Sequence, residues 1–444
     1  MENKAQNREK RNLILFIISY VINNLASGVM YDTYVNYMQE VSLAIATSFW
    51  AFYGYATFLS AAILLLIPRI GYKKILIFCI IESAVAFFIV VFFQKPALLF
   101  LATLLGLTGV QLHFIILAPY VAAFTENLKK EEIRWYTRTY YMGYVGYFLS
   151  TYLGGVFVVK LFSLAAGVDY LSAKSATRFI SEMTPEMYQA YLIGNRYVLL
   201  AVGCIGLAAI FPVLFIQEEP SDYKKIEKQE EKTWREKIKE GIHIIFNKDA
   251  RTFILFWILI SFAMGLFTSY YTVFLNRNLH IDKATSSLLV SISYIAIVLF
   301  MFFTPFAVKR LGQVGTIVFS VLLSVPFMLV IANGDRFNDL MIPVVGVALF
   351  VRSGLANLSS PAESSLSMSV VPKNMRPAYT ALVNFLAGVV SIVSGNFTGN
   401  FLFKEQVGYK YAYYIAAVLY SVAAVILYIG LRKYNRKEDR DGSL

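Results

Sequence analysis

The stretch LLLIPRIGYKK, residues 64–74, is an apolar run that ends in a short basic turn around Gly71. Further apolar runs lie on both sides of it, each of roughly 20 residues, which is the length that a helix needs to cross a bilayer. In lipid the backbone must satisfy its own hydrogen bonds, so a run of this length is expected to be helical. The stretch therefore predicts a tight connection between two membrane-spanning helices.

The whole chain has the composition of a membrane protein. Of its 444 residues, 58% are hydrophobic and 15% are charged, and the mean hydropathy is +0.59. A soluble domain has about 45–50% apolar and about 25% charged residues. We predict an all-α membrane protein with twelve transmembrane helices in two pseudo-symmetric six-helix bundles. The predicted spans are 13–39, 45–67, 73–94, 97–124, 133–162, 196–216, 251–276, 285–307, 314–333, 340–370, 377–403 and 409–432.

The basic residues indicate how the chain crosses the membrane. Lys and Arg are concentrated in the N-terminal tail, in every second connection and after residue 431, and short cytoplasmic loops carry such an excess. We therefore place both termini in the cytoplasm of a multi-pass protein of the cell membrane, whose first apolar run is an uncleaved helix rather than a signal peptide. The net charge of +12 is interpreted as this topology signal, so we expect no nucleic-acid partner.

Two long connections interrupt the pattern. Residues 217–250 carry many charges of both signs and are predicted to link an N-terminal bundle, 1–216, to a C-terminal bundle, 251–444. The linker is either solvated or partly an amphipathic helix on the inner membrane face, because four of its apolar residues recur at helical spacing: Trp234, Ile238, Ile242 and Ile245. Residues 163–195 form an outer connection, which we interpret as a tolerated insertion rather than a cap.

The two halves of the chain resemble each other. The triplet Arg69-Ile70-Gly71 recurs as Arg310-Leu311-Gly312, 241 positions later. Three further landmarks recur 242 positions later: Pro119, Arg134 and Gly146 return as Pro361, Arg376 and Gly388. Four landmarks at nearly one offset indicate a duplicated block of six spans. Parallel repeats of this kind place a substrate site at the bilayer midplane between the halves.

The turn at residues 64–74 resembles the loop motif of the major facilitator transporters, G-x-x-x-D-R-x-G-R-R/K. Arg69, Gly71 and Lys73 occupy matching positions, whereas Leu64 replaces the first glycine and Pro68 replaces the aspartate. The resemblance implies that these residues, with Arg310 and Gly312 of the second half, form gating loops. In the family, the aspartate and the arginine latch helix ends in the outward-facing state, and the missing aspartate leaves that latch open to question. The alternative is a plain basic turn in which Gly71 permits the bend.

Span five resembles a second motif of the family, found in proton-coupled exporters. The segment GYVGYFLSTYLGG, residues 143–155, matches G-x-x-x-G-P-x-x-G-G at Gly146, Gly154 and Gly155, with Ser150 and Thr151 in place of the Gly-Pro pair. The resemblance implies export. The alternative is that the small residues only allow close helix packing.

Ionisable residues inside predicted spans are the candidate site residues, since each costs about 2.5–3.5 kcal/mol at a helix centre on insertion scales. Asp32 lies in span one and Arg352 near the middle of span ten. We expect both to handle substrate or protons, Arg352 through an anion or a charge pair, with Asp32 as one candidate partner. His113 is either a proton carrier or a hydrogen-bonded core residue. Glu363 either titrates during transport or bonds the backbone groups that Pro361 frees.

A tyrosine stripe lies on span five. Tyr140, Tyr144 and Tyr147 follow one another at i, i+4 and i+7, so they share one helix face. Such a stripe would suit an aromatic or amphipathic solute, and packing between helices is the alternative.

The sequence contains no phosphate-binding loop, no nucleophile elbow and no metal-ligand spacing. We therefore expect neither an enzyme nor an ATP-driven pump, and no cofactor or metal. The predicted function is that of a monomeric secondary active transporter that moves a small solute, coupled to protons or another ion, with export of an amphipathic compound favoured. An importer of a polar nutrient, a lipid flippase and a non-transporting scaffold or receptor remain as alternatives.

Overall fold

The computed structural model describes residues 2–224, 246–372 and 375–435, and these residues form helices and connections without a β-strand. The amphipathic helix predicted around Trp234 lies outside the described residues. The long helices, numbered in chain order, are α1 (Glu2–Val29), α2 (Phe49–Leu64), α3 (Tyr72–Phe92), α4 (Pro96–Ala123), α5 (Glu132–Ala166), α6 (Pro185–Leu207), α7 (Lys248–Phe267), α8 (Lys283–Met301), α9 (Thr304–Ala332), α10 (Met341–Leu358), α11 (Arg376–Phe397) and α12 (Gly408–Leu431).

The helices are long enough for a membrane. Within the described residues, 11 helical segments have the length and the apolar character needed to cross a bilayer. Helix α2 has 16 residues, or about 24 Å at the α-helical rise, and the short helices Leu43–Thr47 and Ile67–Ile70 flank it. An all-helical, multi-pass membrane protein is thereby confirmed, while the exact twelve-span layout stays a prediction.

The distribution of polarity fits a lipid surrounding. Large apolar side chains lie on the outside of the long helices; Phe92, Phe157 and Val418 are 67%, 52% and 63% exposed. Many serine, threonine and asparagine side chains are instead buried within the described residues. A soluble fold has the opposite arrangement, because water rewards exposed polar groups.

Helix α6 begins earlier than the sequence analysis predicted. It starts at Pro185 rather than at residue 196, and the Thr184 hydroxyl accepts a hydrogen bond of 3.3 Å from the N–H of Met187 at its first turn. The predicted boundary was wrong because Glu186 and Asn195 make these first turns look like a polar loop. The outer connection is correspondingly shorter and carries the helix Tyr170–Ala176.

The described residues divide into two compact units. One lies within Met1–Glu230 together with Leu275–Ser291, and the other lies within Glu231–Phe274 together with Ile292–Leu444. In the first unit α1 packs on α5 and α6, α3 packs on α4, and α6 packs on α3. In the second unit α7 packs on α11 and α12, α9 packs on α10, and α12 packs on α9. The same pairing at equivalent positions is what a duplicated six-helix block predicts.

The two glycines of the repeated basic turn share one unusual backbone conformation. Gly71 has φ 84° and ψ 167°, and Gly312 has φ 76° and ψ 170° inside α9. Only glycine adopts this region without strain, because it lacks a Cβ atom. Helix α9 therefore bends sharply at Gly312, and the repeat seen in the sequence has a conformational cause.

A carboxylate closes the turn at Gly71. The Glu218 carboxylate accepts hydrogen bonds of 2.8 Å from the N–H groups of Tyr72 and Lys73 at the start of α3. Burial raises the pKa of this carboxyl, while the same backbone hydrogen bonds act in the lowering direction. Lys73 in turn donates to the carbonyl oxygens of Leu214 and Ile216 at 2.6 and 3.1 Å. These hydrogen bonds hold the turn against the segment that follows α6.

The second unit fastens its turn in a related way. The side-chain oxygen of Asn435 accepts a hydrogen bond of 3.0 Å from the N–H of Gly315, just after the bend at Gly312. Asn435 follows α12, as Glu218 follows the last helix of the first unit. Each repeat therefore ties its second connection to the segment after its sixth helix.

We predict that Gly71→Ala destabilises the protein by about 1–3 kcal/mol, the usual range for a residue forced into a strained backbone region. A Cβ atom at this position would also lie 1.9 Å from Glu218 Oε1. The matched control is Gly206→Ala, a position in α6 where an added Cβ atom meets nothing within 4 Å. The midpoints of thermal unfolding in detergent measure both; equal midpoints for the two variants would contradict the assignment.

Candidate functional site

Asp32 lies in a π-helical turn of the first long helix. The helix changes to a π-helical turn at Met30–Tyr34 and resumes at Val35–Val41. Asp32 is 1% exposed, so its carboxylate is removed from bulk solvent. π-helical turns inside α-helices are frequent at functional sites, and interrupted helices are typical of the sites in transporters.

The carboxylate of Asp32 is paired with a buried lysine. Lys283 Nζ donates to Asp32 Oδ1 at 2.7 Å, and both side chains are almost fully buried. The Ser287 hydroxyl donates to Asp32 Oδ2 at 2.9 Å. Lys283 and Ser287 lie one helical turn apart at the start of α8, so one face of α8 supplies both donors.

Helix α5 approaches this pair closely. A Cβ atom on Gly155 would lie 2.4 Å from the Cβ atom of Ser287. Only glycine leaves room for α8 to come near enough for Ser287 to reach Asp32. The same helix bonds to α1, because the Ser150 and Thr151 hydroxyls donate to the carbonyl oxygens of Asn24 and Gly28 at 3.5 and 3.4 Å. The small-residue motif of span five therefore has a packing role, as its alternative interpretation predicted.

The outer connection holds the same segment of chain. Asn276 donates to the Thr177 carbonyl at 2.7 Å, and the N–H of Lys283 donates to the Thr177 hydroxyl at 3.0 Å. The ring of His280 stacks on Phe179 at 4.8 Å. This connection therefore binds the residues around Lys283, and whether residues 163–195 are a tolerated insertion stays a prediction.

A second ion pair joins these elements. Arg277 contacts the Glu40 carboxylate, and the Tyr188 hydroxyl at the start of α6 donates to Glu40 at 3.2 Å. Two acidic residues of the first helix and its extension are thus each matched with a basic residue of the segment Leu275–Ser291. This matching explains why that segment, although distant in sequence, belongs to the first compact unit.

Arg352 forms a different kind of site in the second unit. It is 3% exposed, and its Nη1 and Nη2 atoms donate to the hydroxyls of Tyr271 and Tyr420 at 2.6 and 2.8 Å. Its guanidinium lies 4.6 Å from the centre of the Phe267 ring, in the range of a cation–π contact. No carboxylate of the described residues pairs with it. The hypothesis that Arg352 and Asp32 form a charge pair is therefore wrong, because each of them has its own set of partners.

His113 lies in the apolar core of the first unit. It is 0% exposed, its ring stacks near Phe16 at 5.9 Å, and its Nδ1 atom lies 3.4 Å from Cys79 Sγ. Its Nε2 atom has no hydrogen-bond partner among the described residues. This setting favours a core role over proton transfer.

Glu363 sits just after Pro361, where a short helix begins. The Ser359 hydroxyl donates to its carboxylate at 2.5 Å, and the N–H of Glu363 donates to the Ser359 carbonyl at 2.8 Å. The carboxylate therefore bonds a side-chain hydroxyl rather than a backbone group freed by Pro361, and both interpretations of Glu363 stay predictions.

The tyrosine stripe of α5 is present. The hydroxyls of Tyr140 and Tyr144 lie 3.2 Å apart, and the ring centres of Tyr144 and Tyr147 lie 6.2 Å apart. Tyr31 continues the row at 6.3 Å from Tyr147. All four rings are half-buried, so they form one aromatic row beside the π-helical turn at Asp32.

The two basic residues of the proposed gating loops lie at the surface. Arg69 and Arg310 are exposed, and the guanidinium of Arg310 lies 4.6 Å from the centre of the Phe306 ring. Within the described part of the chain, no carboxylate pairs with either. The turns themselves are fastened by Glu218 and Asn435, which the sequence analysis did not single out.

The sequence analysis also missed Lys283. This lysine lies between two predicted spans, where a charged residue is ordinarily interpreted as solvated. A usable signal was present, because the stretch 277–283 carries Arg277, Asp282 and Lys283 in seven residues, while the first span carries the acid Asp32 without a neighbouring base. Only the fold shows which acid meets which base.

We predict that Lys283→Met lowers stability by about 3–5 kcal/mol, because it leaves the Asp32 carboxylate buried and unpaired. Adding Asp32→Asn in the same chain should restore much of the loss. The control is Lys174→Met, because the ammonium of Lys174 is 34% exposed and 3.8 Å from Asp282, which limits its effect to about 1 kcal/mol. Unfolding midpoints of these proteins and of Asp32→Asn alone test the coupling; losses of the two single variants that simply add in the double variant would rule it out.

Comparison with known proteins agrees with this architecture. Residues 255–443 match the family model described as Major Facilitator Superfamily. No curated protein sequence matches the chain.

Solved structures match over almost the full length. The nucleoside transporter NupG has a TM-score of 0.69 at 15% identity, covering 96% of this chain and 100% of that protein. A bacterial homologue of the human lysosomal transporter Spinster has a TM-score of 0.67 at 13% identity, covering 96% and 98%. A D-xylose–proton symporter has a TM-score of 0.67 at 13% identity, covering 95% and 97%.

At such low identity the solved structures establish the fold alone, and the family model supplies the sequence evidence. The second half of the chain is therefore similar in sequence to the Major Facilitator Superfamily, and nearly its whole length is similar in fold to solved transporters.

Proposed function

We propose that this protein is a secondary active transporter that carries a small solute across the cell membrane by alternating access. Its twelve helices form two six-helix bundles, 1–216 and 251–444, joined by the charged linker 217–250, with both termini in the cytoplasm. It works as a monomer and without cofactor or metal. Arg69, Lys73 and Arg310 belong to the loops that move when the transporter changes state.

The buried pair of Asp32 and Lys283 is the observation that carries this proposal. An ionisable residue inside a membrane protein is expensive and marks a substrate or ion pathway more often than a structural need. Here two opposite charges lie 2.7 Å apart at a π-helical turn of the first helix. Replacing a buried ion pair by well-packed apolar residues is often neutral or stabilising, so stability alone does not account for this pair.

We assign the coupling step to Asp32. A proton from the aqueous side that binds the carboxylate would neutralise it and remove its attraction for the Lys283 ammonium. The segment Leu275–Ser291, which holds Lys283 and Ser287, would then be bound to the first unit by fewer charge-assisted contacts. Protonation and a change in the position of this segment would thereby be linked.

Irregular turns in two helices support a transport site. The first helix has a π-helical turn at Met30–Tyr34, which contains Asp32, and α7 is followed by a 3₁₀ turn, Thr268–Tyr270, directly before Tyr271. π-helical turns inside α-helices are frequent at functional sites. The aromatic row of Tyr140, Tyr144 and Tyr147 lies beside the π-helical turn and is proposed to line the solute path.

The names of the structural neighbours agree with transport without fixing a substrate. They include a nucleoside transporter and a D-xylose–proton symporter, which carry different solutes on the same fold. We favour export of an amphipathic compound, since the α5 segment resembles the exporter motif and its tyrosines offer ring faces.

We predict that Asp32→Asn abolishes proton-driven solute movement and preserves solute exchange. The test uses proteoliposomes with a pH-sensitive dye inside and a panel of nucleosides, sugars and aromatic amphiphiles. The wild type should move protons only when a transported solute is present. An active solute is then followed as a radiolabel, with and without a pH gradient.

The control for this experiment is Asp339→Asn, an exposed carboxylate in the second unit, which should leave both activities unchanged. Binding of panel solutes without any flux would contradict transport and favour a receptor or scaffold. Flux that persists in Asp32→Asn with its full pH dependence would remove Asp32 from the coupling step.

A further inference from the structure

The site around Arg352 contains more hydrogen-bond donors than acceptors. Its Nε atom is buried and has no hydrogen-bond partner among the described residues, and the same holds for the hydroxyl of Tyr413. The ring of Tyr413 lies 5.1 Å from Phe267, the ring that also faces the Arg352 guanidinium. The side chains of Arg352 and Tyr413, each with one polar group that has no hydrogen-bond partner, therefore both lie next to the ring of Phe267.

The positive charge at this site is not balanced by a carboxylate. The hydroxyls of Tyr271 and Tyr420 accept hydrogen bonds from Nη1 and Nη2, which fixes the plane of the guanidinium without neutralising it. The nearest acid along the same chain segment is Glu363, eleven residues later, and the Ser359 hydroxyl bonds its carboxylate. A buried cation without a counter-ion is strongly unfavourable.

Asp32 and Lys283 show how this protein can satisfy a buried charge with a partner of its own. Each of those two side chains has its opposite charge at hydrogen-bond distance. Arg352 instead has oriented neutral partners and a free donor, which is the arrangement expected where the missing charge arrives with a ligand. The fork of a guanidinium fits carboxylate and phosphate oxygens.

We propose that Arg352 binds an oxyanion group, a carboxylate or a phosphate, of the transported solute. The Arg352 Nε–H and the Tyr413 hydroxyl donate to the anion, while Tyr271 and Tyr420 hold the guanidinium in place. Phe267 and Tyr413 supply ring faces for an apolar or aromatic body next to that group. This inference rests on the proposed transport function and specifies the substrate class as an organic anion.

The test measures binding to the full-length protein in detergent, so it is independent of flux. Benzoate and phenyl phosphate are the two anionic probes, and benzyl alcohol is their neutral counterpart, all at one ionic strength set with sodium chloride. The unfolding midpoint is followed against probe concentration, because a ligand that binds the folded state raises it. At least one anion should raise the wild-type midpoint, and benzyl alcohol should not.

Two variants locate the binding. Arg352→Gln should weaken binding of the anion by about 10- to 100-fold, as expected when a hydrogen bond to a charged group is lost. Tyr413→Phe removes only an unpartnered hydroxyl and should weaken binding of the anion by about 3- to 10-fold. Arg336→Gln and Tyr411→Phe, both at exposed positions, are the matched controls and should bind like the wild type.

The free protein gives a second measurement. If only a bound anion balances the charge of Arg352, the free Arg352→Gln variant should have the same thermal unfolding midpoint as the wild type or a higher one, because an unbalanced buried charge is removed. Benzoate and phenyl phosphate distinguish a carboxylate from a phosphate site. Equal binding of the anions by Arg352→Gln and wild type, equal shifts with benzyl alcohol, or no shift of the wild type by either anion would overturn the proposal. Each result leaves the flux experiment to decide transport separately.

Discussion

A charged side chain inside a membrane protein must find its partner within the protein, because the hydrocarbon surrounding offers none. The pair of Asp32 and Lys283, 2.7 Å apart, meets this constraint and organises much of the first unit. It requires a π-helical turn in the first helix, a close approach of α8 at Gly155 and Ser287, and an outer connection that holds the residues before Lys283. All of these features lie around the carboxylate of Asp32.

The same constraint explains the repeated basic turns. A sharp connection between two helices leaves unpaired N–H groups at the start of the second helix. Glu218 satisfies two of them after Gly71, and Asn435 satisfies one after Gly312. In both repeats the polar side chain comes from the segment after the sixth helix, so one small interaction closes each six-helix block. The missing aspartate of the family motif is therefore matched by a carboxylate from elsewhere in the chain.

The sequence predicted what depends on local pattern. Apolar runs located the helices, and one offset near 242 predicted a duplication, with which the shared backbone conformation of Gly71 and Gly312 agrees. It misplaced the start of α6 because the polar residues Glu186 and Asn195 made the first turns of this helix look like a loop. It could not identify Lys283, because the partner of a buried charge is decided by packing between residues some 250 positions apart. For the same reason the sequence analysis named Asp32 as a candidate partner of Arg352, although each of the two residues has other partners.

The two buried charge sites differ in a way that bears on function. At Asp32 both charges are supplied by the protein, so the site can respond to a proton that cancels one of them. At Arg352 the protein supplies one charge and orients it with Tyr271 and Tyr420, so the site can respond to a solute that brings the other. Asp32 lies in the π-helical turn of the first helix, and Arg352 bonds Tyr271, directly after the 3₁₀ turn that follows α7. In the proposed function these are separate positions with separate tasks, one for the coupling ion and the other for the substrate.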